Sequence, residues 1–240
     1  MKVALGARLA VLAAAFVVQT ANAAGHLQVG TTLIEINAGA TAGRFSLSNS
    51  GDAPIGMQAR VFLWTQTDNE DHLVPTTDLL LSPPIARIAP GQEQVVRVVS
   101  VGAAPLDRDQ TYRVVVEELP DGAAAPSTIA IRMRYVVPLY VRSAKASPAA
   151  VSCRVRSDAA SKSSLVCVNT GGRSAQLGAS RLTGSGAPYE LTPGLLGYVL
   201  PGSTRAWDLE TTKLAALGRA VAFETHVNGQ SASLALSTPP

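Results

Sequence analysis

Ser127-Thr128-Ile129-Ala130-Ile131-Arg132-Met133-Arg134-Tyr135-Val136-Val137 alternates in polarity along most of its length. Ile129, Ile131, Met133, Tyr135 and Val137 share one face, and Arg132 and Arg134 fall on the other, which is the period of a β-strand with one apolar side. The same period recurs outward from this stretch. Tyr112, Val114 and Val116 oppose Thr111, Arg113 and Glu117; Met57, Ala59, Val61 and Leu63 alternate with Gln58 and Arg60; Phe45 and Leu47 alternate with Ser46 and Ser48. Asn49-Ser50-Gly51-Asp52, Ala89-Pro90-Gly91 and Pro120-Asp121-Gly122 are turn signals between these runs, and helical spacing is confined to Thr211–Leu217. With 47% hydrophobic residues, 20 Gly and 15 Pro, the 240-residue chain is too apolar for disorder and too often interrupted for long helices. The fold class expected is all-β, built of antiparallel sandwiches.

Ser143-Ala144-Lys145-Ala146-Ser147-Pro148 is small, polar and Pro-terminated, and strand-like runs lie on both sides of it. The second half repeats the pattern with Val151–Arg156, Leu165–Asn169, Gln176–Leu182, Thr204–Leu209, Val221–Asn228 and Ala232–Leu236. Two tandem immunoglobulin-like sandwiches follow, over residues 24–142 and 150–240, joined by a linker at 143–149.

Residues 1–23 have the form of a secretory signal: Lys2 and Arg8, an uncharged apolar run from Leu9 to Val18, and small residues at Ala21-Asn22-Ala23. Cleavage there lowers the formal net charge from +3 to +1. A near-neutral chain without a Lys/Arg block has no electrostatic footprint for nucleic acid. The apolar run is far short of the ~20 residues that span a bilayer, so membrane insertion is not expected. An exported product, with a bacterial periplasm as its compartment, fits these features.

Cys153 and Cys167 lie on neighbouring strand-like runs of an exported chain. Antiparallel pairing would join them as a disulfide, and two buried free thiols are the alternative. Catalytic chemistry finds no support. His26, His72 and His226 have no metal-ligand spacing and read as surface or turn residues. No nucleophile, P-loop or dinucleotide motif occurs, and the adjacent Glu117 and Glu118 of a strand point to opposite faces. No catalytic residue, metal or cofactor is therefore expected.

The alternating strand that contains Ile131 has two readings. It is one more core strand, or part of it projects at a sheet edge and donates apolar side chains to another protein through strand addition. A family resemblance bears on that choice. Leu81-Ser82-Pro83-Pro84 through Ala89-Pro90-Gly91-Gln92 to Val95-Val96-Arg97-Val98 resembles the signature of periplasmic pilus-assembly chaperones of the PapD type. Asp107-Arg108-Asp109, Tyr112–Glu118 and Leu119-Pro120 resemble the strand that follows it. The second half matches only through Asn169-Thr170-Gly171 and Leu200-Pro201-Gly202-Ser203-Thr204.

The resemblance implies a non-catalytic, boomerang-shaped pair of immunoglobulin-like domains in the periplasm. Such a protein holds pilus or fimbrial subunits by donor-strand complementation and delivers them to an outer-membrane usher. Ile129, Ile131, Met133 and Tyr135 would be the subunit-binding side chains, and Asp109 with Arg142 an interdomain ion pair. The family's two carboxylate-binding cations fall on Thr32 and Pro138 in this sequence, so Arg134, Arg132 and Arg97 are the substitute candidates. The ending Val137-Pro138-Leu139-Tyr140-Val141 resembles the divergent branch that serves Csu-like or spore-coat-U-like subunits, and Pro138 implies a bulge or an edge. The short Pro120–Pro126 loop resembles the type associated with rod or fimbrial pili. The competing reading is a secreted two-domain structural or adhesive sandwich, similar to a pilus subunit.

Overall fold

The structure, a computed structural model, describes residues 26–102, 107–120, 131–157 and 162–236. Residues 1–23, Ile129 and all of the 120–126 loop except Pro120 lie outside the described residues. Ten strands make up the first half: β1 (Leu27–Val29), β2 (Ile34–Ile36), β3 (Ala42–Asn49), β4 (Ile55–Thr67), β5 (Glu70–Pro75), β6 (Leu79–Ser82), β7 (Ile85–Ile88), β8 (Glu93–Ser100), β9 (Gln110–Glu118) and β10 (Arg134–Val141). The second half holds β11 (Val151–Ser157), β12 (Ser163–Asn169), β13 (Ala175–Gly184), β14 (Tyr189–Thr192), β15 (Gly197–Val199), β16 (Thr204–Leu209), α1 (Thr211–Leu217), β17 (Ala220–Val227) and β18 (Gln230–Ala235).

Each half is a sandwich of two sheets. In the first, the order β1-β3-β8-β6 faces β2-β10-β9-β4-β5, with β7 also paired to β4. In the second, β11-β12-β16 faces β14-β13-β17-β18, with β15 paired to β13. The period-two reading accounts for the cores directly. Phe45 and Leu47 of β3, Met57 and Ala59 of β4, Val96 and Val98 of β8, and Tyr112, Val114 and Val116 of β9 point into one buried cluster. Each such side chain contributes roughly 1.5–3 kcal/mol relative to leaving it in water. Leu165, Leu177, Leu182, Val199 and Phe223 form the second core together with Cys153 and Cys167.

Both halves are closed by the same kind of corner. Asn49 ends β3 with its side chain buried, donating to the carbonyls of Ala53 (2.8 Å) and Ile88 (3.1 Å) and accepting from the Gly51 amide (3.0 Å). Its backbone clasps the Pro90-Gly91 turn, receiving the Gly91 amide at 2.9 Å. Asn169 ends β12 in the same way, donating to Arg173 (2.7 Å) and Val199 (3.0 Å), accepting from Gly171 (3.0 Å), and receiving the Gly202 amide on its carbonyl at 2.8 Å. Gly91 and Gly202 have φ of 67° and 74°, a left-handed geometry that favours glycine at both turns. The buried amide satisfies backbone groups that the turns would otherwise leave unpaired.

A third apolar cluster joins the two halves. Trp64 of β4 and Tyr140 of β10 meet Leu200 of the second half, with Tyr198 of β15 packed alongside. The Trp64 and Tyr198 rings meet edge-on with centroids 5.2 Å apart.

Of the two readings of Pro138, a bulge or an edge, the structure shows the edge. The β9–β10 register runs through Pro138↔Arg113 without a bulge. Pro138 lies one residue before the parallel pairing of β10 with β2 begins at Leu139↔Ile34, so its missing donor is accommodated where the second neighbour has not yet started.

Cys153 and Cys167 are directly opposite in the β11–β12 register and form a disulfide with a sequence separation of 14. Replacing both by Ala is expected to lower stability by about 3 kcal/mol through the freed denatured chain. Urea midpoints measured for wild type and variant check this, and equal midpoints would contradict it. A second expectation concerns alkaline pH. Burial, reinforced by the Asp78 carboxylate, pushes the Tyr112 phenol up to about 12, and burial pushes Tyr140 to about 12 against the opposing effects of Ser174, Arg113 and Arg142. The unfolded chain ionises near the ordinary 10, so this stabilisation is complete below pH 10 and is lost between 10 and 12. A tyrosinate absorbance titration of wild type and of Tyr112→Phe and Tyr140→Phe should show these two groups ionising late, together with unfolding.

Candidate functional site

β10 pairs with β9 along its whole length, from Arg134↔Glu117 to Val141↔Gln110. On its other side β2 covers only Leu139, Tyr140 and Val141. Among the described residues, Arg134–Pro138 therefore has an edge with a strand on one side alone. The pairing with β9 continues past the strand's start, because the Glu118 amide donates to the Met133 carbonyl at 3.1 Å.

Side chains on the apolar face of β10 change environment along the strand. Val137, Leu139 and Val141 are buried in the first core, and Tyr135 packs against it with its hydroxyl donating to the Leu27 carbonyl at 2.6 Å. Met133 is 38% exposed and Ile131 80% exposed. β10 thus belongs to the core, and the apolar residues of the segment leading into it lie open. Tyr135, grouped with Ile131 and Met133 by its spacing, has its hydroxyl occupied within the chain.

The opposite face of β10 lines a cleft between the sandwiches. A cavity of about 380 Å³ is bounded by Thr32, Leu33, Pro138, Tyr140 and Arg142 from the first half, and by Arg173, Ser174, Gln176, Tyr198 and Asn228 from the second. Thr32 and Pro138, the two positions without a cation, thus lie at its wall. The cations named as substitutes lie elsewhere. Arg134 is 61% exposed and pairs with Glu117 at 3.4 Å, which Arg60 also engages at 2.5 Å. Arg132 is exposed and does not line the cavity.

Arg97 requires a correction. It is on β8, in the other sheet of the first sandwich, where it lies exposed opposite Arg44. Its Val-x-Arg context aligns the strand's inward valines and says nothing about which sheet the strand joins.

The cavity's exposed cation is Arg173, which sequence spacing did not single out. Its position follows from the second corner, because the buried Asn169 amide holds the Arg173 carbonyl. The segment before it is pinned to the first half. The Asp109 amide donates to Gly172 O at 2.8 Å, and Gly172 N donates to the Ser147 hydroxyl at 2.9 Å. A Cβ on Gly171 would stand 2.1 Å from the Pro148 carbonyl, so only glycine permits this approach. Among the described residues no carboxylate forms an ion pair with Arg173.

Arg113 is the second cation that sequence reading passed over. It is opposite Pro138 in the ladder and is 9% exposed. Its guanidinium lies 3.6 Å from the Trp64 ring centroid and 4.7 Å from that of Tyr198. Burial lowers its pKa, against attraction from Tyr198, Tyr140 and the Asp71 carboxylate, and the aromatic faces add cation–π attraction. The signal in the sequence was its place on the outward face of an otherwise apolar strand, but the residue across from it depends on a long-range register.

Asp109 and Arg142, expected as an interdomain pair, form an ion pair at 2.5 Å within the first half, and Glu35 also engages Arg142. Burial opposes the charge on Arg142, and the two carboxylates outweigh it, raising the pKa. All three charges belong to the first half. The link to the second half runs through the Asp109 backbone amide, while the Asp109 carboxylate also accepts the Ser143 amide at 2.9 Å.

The remaining sequence candidates lie outside this region. His26 and His226 are exposed, and His72 is half-buried beside the Thr67 carbonyl. Among the described residues no three metal-ligating side chains converge, and no helix is long and apolar enough to cross a membrane.

Comparison with known proteins bears on this arrangement. The chain is 32% identical over 123 residues to the chaperone protein FimB/FhaD of Bordetella pertussis, an alignment covering 48% of this chain and 49% of that relative. The match thus spans about half of the relative's length. Among solved structures, the fold is similar to the CsuC-CsuE chaperone-tip adhesion subunit complex from archaic chaperone-usher Csu pili of Acinetobacter baumannii, with a TM-score of 0.71, 23% identity and coverage of 91% of this chain and 100% of that one. It is also similar to the E. coli chaperone DraB, with a TM-score of 0.63, 18% identity and coverage of 90% and 97%. The family described as pili and flagellar-assembly chaperone, PapD N-terminal domain, matches residues 26–147, and the chain belongs to it.

Proposed function

We propose that this protein is a non-catalytic periplasmic chaperone that binds pilus or fimbrial subunits by lending them part of β10, and that it passes them to an outer-membrane usher. The observation that carries the reading is the half-paired edge of β10. Among the described residues, the backbone over Arg134–Pro138 has a neighbouring strand on one side only. The exposed Ile131 and Met133 continue the same apolar face outward. An incomplete sandwich laid against that edge would gain main-chain hydrogen bonds from the strand and would bury both side chains in its own core. Each is worth roughly 1.5–3 kcal/mol before the costs of association are subtracted. Ile129 would extend the series by one more step of the same period.

Within this reading the cleft receives the subunit's terminal carboxylate. Arg142 is already engaged by two carboxylates and Arg134 by one, which leaves Arg173 as the exposed cation beside Thr32 and Pro138. Arg113 adds positive charge behind the cleft wall. Residues 143–149 serve as the linker that brings the Arg173 segment against the first sandwich.

The double change Ile131→Arg and Met133→Arg is expected to abolish co-purification with a co-expressed pilus subunit while thermal unfolding of the chaperone stays unchanged, since neither side chain belongs to its core. Retained subunit binding would overturn the donor assignment. For the anchor, Arg173→Ala should weaken subunit binding by about 1.5–3 kcal/mol, the range for a hydrogen bond to a charged group. Arg134→Ala should stay within about 0.5 kcal/mol, as for an ordinary surface change. Isothermal titration of both variants separates the two candidates, and a reversed order would move the anchor to β10.

A further inference from the structure

The β4–β5 hairpin turns through Asp68 and Asn69, both left-handed with φ of 53° and 64°, and its tip reaches the second sandwich. There the Asn69 side chain donates to Ala206 O at 3.1 Å and accepts the Ala206 amide at 2.7 Å. Ala206 lies on β16, whose other side is paired with β12, so this single amide takes the place of the next strand's peptide group. Arg205 donates to the Asn69 carbonyl and approaches Asp71 at 3.8 Å.

Three residues earlier, the buried Gln66 makes a second contact of the same kind. Its Nε2 donates to Tyr198 O at 3.0 Å and to Asp71 Oδ1 at 2.9 Å, and its Oε1 accepts the Leu200 amide at 2.9 Å. Leu200 also supplies the second half's buried side chain in the cluster with Trp64 and Tyr140. One hairpin therefore sends out two primary amides, and each bonds both a donor and an acceptor of the other sandwich's backbone. An apolar cluster permits sliding, because its attraction has no preferred direction. Paired donor and acceptor bonds fail within a few tenths of an ångström and a few tens of degrees.

We infer that Gln66 and Asn69 are positioning residues for subunit capture: they fix the angle between the sandwiches in the free chain, so that Arg173 already stands across from Pro138 before a partner arrives. This rests on the reading that the cleft receives a subunit. Its advantage is preorganisation, since a cleft already formed has little freedom left to lose on binding.

The test uses the whole exported chain with its disulfide intact and spin labels on Thr77→Cys and Ser231→Cys, one exposed site in each sandwich. The interdomain distance distribution is measured by pulsed electron resonance without any partner. Combined Gln66→Leu and Asn69→Ala is expected to broaden it about two-fold, toward the relative motion usual for linked domains. In the co-purification assay with the same pilus subunit, recovery should fall about ten-fold as preorganisation is lost. An unchanged width overturns the clamp, and a broadened width with undiminished recovery overturns its role in capture. If the double variant does not fold, Asn69→Asp keeps the acceptor for Ala206 N and removes the donor to Ala206 O; it must broaden the distribution, and an unchanged width overturns the proposal. Ile131→Arg with Met133→Arg should leave the width narrow. Retained binding in that variant would defeat the donor-strand reading without altering the distance measurement.

Discussion

Backbone hydrogen bonding along β10 is lopsided, and most of the molecule is arranged around that fact. A strand edge with unpaired donors and acceptors is normally a hazard, because it invites pairing with any extended chain. Here β2 closes the edge from Leu139 onward and leaves it open before that point. The closed part sits among Val137, Leu139 and Val141 in the first core, which anchors the open part without covering it. Rigid anchoring at one end is what keeps the segment just before β10, with its exposed Ile131, close to the open edge. A free segment of the same sequence would have to lose its backbone freedom on binding.

Charge is distributed so that the cleft retains an available cation. Glu117 engages Arg60 and Arg134 at the strand's open end, and Asp109 with Glu35 engages Arg142 at its closed end. Between them Arg113 is buried against aromatic rings, attracted by Asp71 but, among the described residues, without an ion pair to a carboxylate. A buried carboxylate partner would neutralise Arg113 locally, whereas the ring faces of Trp64 and Tyr198 attract the guanidinium and leave its net charge in place. Together with Arg173 this gives the cleft positive charge from both sandwiches.

The parts legible in the sequence were those governed by local periods and turn chemistry. Alternation located the strands of both cores, and the Asn-x-Gly and Pro-Gly pairs in each half marked corners that the structure builds with the same buried amide. The lone helical stretch coincides with α1 at Thr211–Leu217. What could not be read depended on register between distant strands. Nothing near Arg97 announces that β8 joins the sheet opposite the cleft, and nothing near Arg113 announces Pro138 as its cross-strand neighbour. Pro138 itself suggested an irregularity. The edge it implied exists, but it arises because β2 starts one residue later and not because the ladder bulges.

The same limit explains why the hairpin amides were invisible. Within the first sandwich, Asp68 and Asn69 form an ordinary hairpin turn, with Gln66 on the strand that leads into it. Their second role appears only when β16 and the Tyr198–Leu200 segment are brought alongside, more than a hundred residues later in the chain. Packing alone would place Leu200 near Trp64 and would tolerate several angles between the sandwiches. The backbone groups of Tyr198, Leu200 and Ala206 admit few, because each needs its own partner at its own distance. A cleft whose two walls come from different domains is only as well defined as that angle, so specificity for a ligand bridging the walls must be set partly at the hairpin, away from any residue the ligand touches.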